Sequence, residues 1–332
     1  MLPLTGKVAS PSGLIEVAQA AEELGFSTVS ARDHIIFDGS FGSTIGSDGP
    51  GDDRAIFEML ETLTFVASAT KRVRLATSVA ILPNRHPLLF AKQTSTLDYL
   101  SGGRLQLGLG IGPNRQGGGA DTDLIGTHRG SLTREYDSFG AIGPRGPRME
   151  EYYQALLRLW SEDAPSFHGE YVSFETAMMF PKPIQRPHPP IVVGGRSSAA
   201  HRRAARWGAG WVPSQATTGD IRTGVAAIRA HRADAGLAPD VGIVGISNPS
   251  IIADSVDAAV ETAAPSQSGH YDGRQDFLDR TISGDLDTWV ERVRAYQEAG
   301  VNYIELKPIA TSVAAFIKQM RQVHDSVMPA LA

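Results

Sequence analysis

The regular alternation of short apolar runs with helical patterns constrains the fold of this chain more than any other feature. Seven β-branched or apolar runs are separated by segments with helical spacing. These runs lie at 27–31, 73–79, 104–109, 191–193, 210–213, about 241–247 and 302–306. Because parallel strands need a crossover of a dozen or more residues, usually a helix, this order predicts a parallel sheet covered by helices.

The number of strands decides how such a sheet ends. Eight strand–helix units close a (β/α)8 barrel, whereas fewer suit an open, doubly wound sheet. Leu2-Pro3-Leu4 supplies an eighth unit if it is the stub of a strand. The first strand–helix junction lacks the Gly-x-Gly-x-x-Gly turn of an open dinucleotide-binding sheet. The sequence therefore favours one α/β domain over 1–332, a TIM-like barrel with a short first strand.

Four segments interrupt the alternation and are predicted to be insertions in the barrel. Residues 35–54 form a loop rich in Gly and Asp, and residues 112–147 form a longer loop that we expect to cover the substrate as a lid. Residues 164–190 predict a small hairpin followed by an extended, proline-rich connector. Residues 264–285 are expected to be a polar insertion.

Composition excludes several functional classes. The chain carries 31 Lys+Arg against 36 Asp+Glu, and this mildly acidic balance disfavours a general nucleic-acid binder. Cysteine is absent, which excludes disulfides, thiol nucleophiles and cysteine-ligated metal centres. No apolar run approaches the 18 or so residues of a membrane span. We therefore expect a cytoplasmic protein that does not act at a membrane.

Polar residues follow several of the predicted strands, where barrel active sites lie. Asp33-His34 follows the first run, and a histidine there suits proton transfer or hydrogen bonding to a heteroaromatic cofactor, although a surface or structural histidine fits equally. Alternating glycines at 108–112 would let a planar ligand approach the backbone. Gly194-Gly195-Arg196-Ser197 opens a helix and suits either a phosphate or an ordinary serine cap. No residue spacing indicates a metal site.

A series of short motifs in the first two thirds of the chain resembles the bacterial luciferase-like superfamily. The motifs, in the order of that family, are Ala76-Thr77-Ser78-Val79-Ala80-Ile81-Leu82-Pro83, Arg85-His86-Pro87, Leu100-Ser101-Gly102-Gly103-Arg104, Leu107-Gly108-Leu109-Gly110, Phe167-His168-Gly169, Pro181-Lys182-Pro183, Gly194-Gly195 and Trp207-Gly208-Ala209-Gly210-Trp211. They cover most of residues 11–215.

The resemblance implies a TIM-like barrel that binds reduced FMN or the deazaflavin coenzyme F-420 at its carboxyl end. It implies FMNH2-dependent monooxygenation of a small organic substrate, with hydride transfer through coenzyme F-420 as the alternative. His34 matches an active-site histidine. The implied cofactor-binding residues are Asp33, Ser78, Val79, Ile111, Gly112, Gly194, Gly195, Arg196 and Ser197. Of these, Ser78-Val79 matches the place of a non-prolyl cis peptide behind the flavin ring. A separate flavin reductase and a homodimer packed through early helices are also implied.

The chain departs from the family pattern at two places. A Glu that many coenzyme F-420 members carry after the glycines is replaced by Pro113, which disfavours their acid–base chemistry. The family begins several residues before a pair like Leu2-Pro3, so a start codon upstream of Met1 is expected. A non-catalytic flavin-binding protein remains an alternative. A glycosidase-like barrel would need two carboxylates across its mouth, and no such pair is identified.

Overall fold

The structure, a computed structural model, describes residues 1–6, 8–36, 55–112, 135, 138–139, 144–267 and 271–331. Its α-helices are α1 (Pro11–Glu23), α2 (Met59–Ala69), α3 (Pro87–Leu100), α4 (Arg145–Ser161), α5 (Ser198–Trp207), α6 (Thr218–Asp234), α7 (Val256–Gln267), α8 (Arg274–Arg280), α9 (Leu286–Glu298), α10 (Val313–Gln322) and α11 (Met328–Leu331). Its strands are β1 (Thr28–Ala31), β2 (Arg74–Ile81), β3 (Leu105–Gly110), β4 (Phe167–His168), β5 (Ser173–Phe174), β6 (Ile191–Val193), β7 (Gly210–Trp211), β8 (Ile243–Ile246), β9 (Pro249–Ile252), β10 (Ile282–Gly284), β11 (Tyr303–Ile304) and β12 (Lys307–Pro308).

The central sheet has seven parallel strands in the order β1-β2-β3-β6-β7-β8-β11. Each of them coincides with one of the seven apolar runs, so the predicted α/β fold with parallel strands is confirmed. Beyond β8 and β11 the chain continues as β9 and β12, which pair in a second parallel sheet of order β10-β9-β12.

The N-terminal residues join the two edges of the curled central sheet. The backbone N–H of Leu2 donates to the carbonyl of Ser30 in β1 at 2.7 Å, and the nitrogen of Met1 donates to the carbonyl of Leu306, just after β11, at 2.7 Å. Leu2 and Leu4 are fully buried. Leu2-Pro3-Leu4 therefore takes the position expected of the eighth strand, although it forms no regular ladder.

Helices cover the outer face of the sheet, and their ends carry the sequence signals that start them. In α6, Thr217 and Asp220 form a reciprocal capping box, and in α9 the side chain of Asp285 accepts from the Thr288 N–H. Apolar side chains from the inner faces of the helices pack against the strands in two large buried clusters. This packing fixes the strand ends, and with them the loops at the carboxyl edge.

The predicted insertions have mixed outcomes. Residues 164–190 do form a hairpin, with β4 antiparallel to β5, and a connector without regular elements. The segment 264–285 contains regular elements that were not predicted: the end of α7, all of α8, and β10, which extends the second sheet. Phe277 and Ile282 are buried in apolar clusters, but most of their neighbours in the sequence are polar, so the apolar signal of this segment is short. Most of 35–54 and 112–147, with the predicted lid and Pro113, lies outside the described residues. Among the described helices, none is long and apolar enough to cross a membrane.

Candidate active site

A bulge near the carboxyl end of β2 is the centre of the candidate site. Thr77 pairs with Leu107 and Ala80 with Leu109, so two residues of β2 oppose the single residue Gly108 of β3. Those two residues are Ser78 and Val79, and the peptide bond between them is cis, where the resemblance placed it. The bulge takes both side chains out of the alternation of the strand.

Val79 lies against three glycines of the neighbouring strands. A Cβ atom on Gly110 would approach Val79 Cγ2 to 2.7 Å, and one on Gly194 would approach Cγ1 to 3.0 Å. A Cβ on Gly108 would lie 2.1 Å from the carbonyl oxygen of Thr77 and 3.0 Å from Val79 Cγ1. We expected these glycines to admit a planar ligand. In the structure the bulge itself occupies the space that these glycines leave, because the isopropyl group of Val79 lies beside the strand backbone.

Ser78 is held from the opposite side by a buried carboxylate. Its hydroxyl donates to Glu305 Oε2 at 2.8 Å, and the hydroxyl of Ser30 donates to Glu305 Oε1. Glu305 is 4% exposed. The sequence analysis missed this residue, since its partners are 227 and 275 positions away. The one local signal was a single carboxylate in the apolar run 302–306.

Asp33 holds the end of β2. Its Oδ2 accepts from the Ile81 N–H at 2.8 Å and from Arg85 Nε at 2.8 Å, and its Oδ1 accepts from Arg85 Nη2 at 2.6 Å. Glu58 accepts a further bond from Arg85 at 2.7 Å. Burial disfavours the charged guanidinium, but the bonds and charge of Asp33 and Glu58 outweigh it and raise the pKa of Arg85. Asp33, predicted to bind cofactor, thus supports the strand that carries the bulge.

His34 lies next to Asp33 at the carboxyl end of β1, with 18% of its side chain exposed. Its Nδ1 is 3.5 Å from Oε2 of Glu135, whose side chain is 2% exposed. The other oxygen of Glu135 accepts from the Ile35 N–H at 3.2 Å. A carboxylate at Nδ1 orients the imidazole ring. Glu135 lies within the segment we expected to be a lid and was not predicted as a site residue.

Ile111 and Gly112 follow β3 directly and continue its backbone past the bulge. The guanidinium of Arg145, at the start of α4, donates to the Ile111 carbonyl at 3.1 Å. Gly112 has a φ of +73°, a left-handed conformation that glycine adopts without a Cβ penalty. The chain therefore turns sharply where β3 ends, and Arg145 of α4 holds the Ile111 carbonyl at this turn.

Arg196 and Arg280 meet beside the start of α5. Each donates to the carbonyl of Gln215, at 3.1 Å and 2.9 Å. Each also lies within 3.5 Å of Oδ2 of Asp220. Burial would raise the pKa of Asp220, but hydrogen bonds at Thr217 and the two arginines outweigh it and lower that pKa. Arg280, from the segment 264–285, is a second cation that the sequence analysis missed.

The start of α5 fits a phosphate group. Ser197 caps the helix by accepting from the Ala200 N–H at 3.2 Å, which confirms the serine-cap reading. The cap leaves the first backbone N–H groups of this ten-residue helix as anion donors. Arg280 also pairs with Asp276 at 2.7 Å, so the two arginines face two carboxylates, and the anion donors here are the backbone N–H groups and the guanidinium of Arg196. The cap and the phosphate site are therefore compatible. Among the described residues no group of side chains has the arrangement of a metal site.

Two relatives by sequence and structure have named oxygenase activities. The FMNH2-dependent dimethylsulfone monooxygenase of Pseudomonas putida is 30% identical over 229 residues, which are 69% of this chain and 55% of that protein. A crystal structure of monooxygenase RslO1 from Streptomyces bottropensis superimposes with a TM-score of 0.75 at 24% identity, covering 100% of this chain and 98% of that one. This likeness shows the fold.

A third similar protein uses a deazaflavin. A coenzyme F-420-dependent secondary alcohol dehydrogenase, solved with an F-420–acetone adduct, superimposes with a TM-score of 0.77 at 18% identity, covering 98% and 96% of the two chains. The match spans less than two thirds of the length of the first curated relatives: 65% of an uncharacterized protein of Mycobacterium bovis and 55% of the dimethylsulfone monooxygenase. The profile of the luciferase-like monooxygenases matches residues 3–303. The chain therefore belongs to the luciferase-like monooxygenase family.

Proposed function

We propose that the chain is the oxygenase component of a two-component system that oxidises a small organic substrate with reduced FMN. The observation that carries this proposal is the Ser78–Val79 bulge, held between Glu305 and three glycines at the carboxyl edge of the sheet. The bulge presents a fixed surface to a flat ring, and the start of α5 offers a phosphate site on the same edge. Reduced FMN, when bound, supplies the electrons that activate oxygen.

In this proposal different residues bind different parts of FMN. Ser78 and Val79 support the ring from behind, and the backbone of Ile111 and Gly112 lies along it. Gly194, Gly195, Arg196 and Ser197 bind the phosphate, with Arg280 as a second cation. Asp33 acts indirectly, because its oxygens are bonded to Arg85 and Ile81.

His34 is the catalytic residue of the proposal. It holds a proton at Nδ1 towards Glu135 and presents its other nitrogen to the substrate or the ring. With 18% of its side chain exposed, it is accessible from the mouth yet confined by its neighbours. A histidine side chain can serve as a general acid or base in catalysis.

A second copy of the chain is the proposed structural partner. Large apolar side chains on α2 and α3 are exposed: Phe65 at 44%, Leu89 at 59%, Tyr99 at 56% and Leu100 at 66%. Exposed apolar surface of this kind marks an interaction site when it is contiguous. Sedimentation analysis of the wild type should give a dimer, and Leu100→Glu should shift it towards monomer.

Cofactor binding tests the proposed function. FMN and coenzyme F-420, each oxidised and reduced, are titrated into the protein and followed by fluorescence. We expect reduced FMN to bind and Arg196→Gln to weaken it about tenfold, with the exposed Arg206→Gln as matched control. Substrate-dependent oxygen consumption with an added flavin reductase completes the test. If the protein binds coenzyme F-420 and not FMN, hydride transfer becomes the proposed reaction in place of oxygenation. Flavin binding without turnover would indicate a non-catalytic flavoprotein.

A further inference from the structure

Two cations, Arg32 and Lys307, lie near Glu305, the carboxylate that accepts from Ser78 on the side of the bulge away from the glycines. Arg32 directly follows β1, and Lys307 is the first residue of β12, beyond the end of β11. Ser30 and Glu305, each two residues earlier in the chain, are joined by a hydrogen bond between their side chains. Both are half-buried, and their charges interact with each other and with Glu305.

The charges of this group do not balance. Among the described residues, Glu305 is the one carboxylate whose charge acts on both cations, and both of its oxygens already accept from serines. Among the described residues, neither Arg32 nor Lys307 forms an ion pair. A half-buried site with two cations and one carboxylate retains a positive charge, which a bound anion would neutralise.

The hydrogen bonds of Arg32 are incomplete as well. Its Nη2 donates to Thr5 Oγ1 at 2.8 Å, which fixes the guanidinium against the N-terminal segment. Its Nε is buried and has no hydrogen-bond partner in the described part of the chain. An unmade bond at a buried charged donor is costly, so this atom is poised for an acceptor that arrives with a ligand.

The cofactor phosphate is not that acceptor. The start of α5 follows β6, which lies three strands from β1 and three from β11 in the order of the barrel. Val79 points towards that glycine-lined side, while Ser78 points towards Glu305. A ring on the bulge would thus have its phosphate on one side and the cationic pair on the other.

We propose that Arg32 and Lys307 bind the anionic group of the substrate, a carboxylate or sulfonate. This inference rests on the proposed function, because it makes the mouth beside the bulge the substrate pocket. The guanidinium matches the planar carboxylate with paired N–H groups, and the ammonium adds a point charge. Glu305 balances one of the two cations and leaves the second for the ligand.

Binding of small anions to the purified protein tests the proposal without turnover. Benzoate, benzenesulfonate and uncharged benzamide are titrated by calorimetry at pH 7, with and without saturating FMN. We expect at least one of the two anions to bind about tenfold more tightly than benzamide. Arg32→Gln and Lys307→Gln should each remove about tenfold of that affinity. The exposed Lys318→Gln and Arg206→Gln are matched controls and should bind like the wild type.

The outcomes separate this proposal from the proposed function. Thermal unfolding first establishes that each variant is folded, and Arg32→Lys serves as a milder replacement if Arg32→Gln is not. Equal binding of anions and benzamide, no binding of either anion, or unchanged affinity in both variants overturns the anion site. The variants could instead lose affinity for reduced FMN while they still bind benzoate. That result would also overturn the anion site, because it would mean that the two cations contact the reduced ring. Benzoate binding that depends on both residues in a protein that binds no flavin supports the site and rejects the proposed function.

Discussion

The hydrogen-bond network of Asp33 and the two cations beside Glu305 differ in how their polar groups are satisfied. On the side of β1 to β3, Asp33 uses both oxygens, and the Thr77 hydroxyl donates to the Gly108 carbonyl at 2.7 Å. Beside Glu305, Arg32, which follows β1, has no hydrogen-bond partner for its Nε in the described part of the chain, and the charge of that carboxylate acts on both Arg32 and Lys307. A satisfied network fixes geometry, whereas an incomplete one has capacity for a ligand.

This difference suggests that one set of residues around Ser78–Val79 determines stability and another determines ligand binding. The glycines and the Asp33 network hold the bulge so tightly that substitutions there should act on folding. The cationic side is held loosely enough that substitutions should act mainly on binding. The predictions below test whether stability and ligand affinity separate in this way.

The largest effect is expected from Gly108→Ala. The new Cβ would lie 2.1 Å from the Thr77 carbonyl oxygen, which is backbone and cannot move without breaking the bulge. We expect a loss of about 3 kcal/mol in the free energy of unfolding, measured in urea. Gly219→Ala in α6 is the matched control, because its Cβ would meet only Thr217 Oγ1 at 3.6 Å. Equal stability of the two variants would contradict the close packing of the bulge against Gly108.

Asp33→Asn should have the next largest effect. It removes the charge that pairs with Arg85, although Glu58 still pairs with that guanidinium. A loss of about 2 kcal/mol in unfolding free energy is expected, since a buried charge loses its main partner. Asp325→Asn, at an exposed position, is the control. A neutral result for Asp33→Asn would mean that the network does not hold β2.

Lys307→Met should have a smaller effect of opposite sign. Burial lowers the pKa of Lys307 from 10.5 to about 8, the charge of Glu305 raises it in part, and Arg32 lowers it further. The amino group of Met1 also faces this lysine. Because the folded-state pKa is depressed, the protonated lysine destabilises the native state fully below pH 8. This cost disappears as the pH rises towards 10.5, where the unfolded state also loses the proton.

The pH dependence of stability is the measurement for this variant. Lys307→Met should raise the unfolding free energy by about 1 kcal/mol at pH 7, and the wild type should recover most of that difference by pH 10. Lys318→Met, at an exposed position, should show no such trend. A difference that is constant from pH 7 to pH 10 would mean that Lys307 is not the buried cation described here.

Much of the fold could be predicted because its signals are local. Periodicity located all seven strands of the central sheet, and the order of motifs located the bulge at Ser78–Val79. The elements within 264–285 were not predicted because α8 has only seven residues and β10 only three. Elements so short carry too little periodicity to be recognised.

The candidate site was predictable only in part. Ser78, Val79 and Arg196 could be placed by motif, but their partners Glu305 and Arg280 are distant in the chain. Such contacts depend on how the barrel closes, which no local pattern encodes. The contact of Val79 with the glycines of β3 was not predicted for the same reason, since it becomes apparent only in the folded sheet.

A crystal structure with FMN and benzoate tests most directly whether the bulge divides the mouth into a cofactor side and a substrate side. We predict the isoalloxazine ring against Ser78–Val79, the phosphate at the start of α5 near Arg196, and the carboxylate between Arg32 and Lys307. A flavin phosphate bound at Arg32 and Lys307, or a ring away from the bulge, would contradict the account.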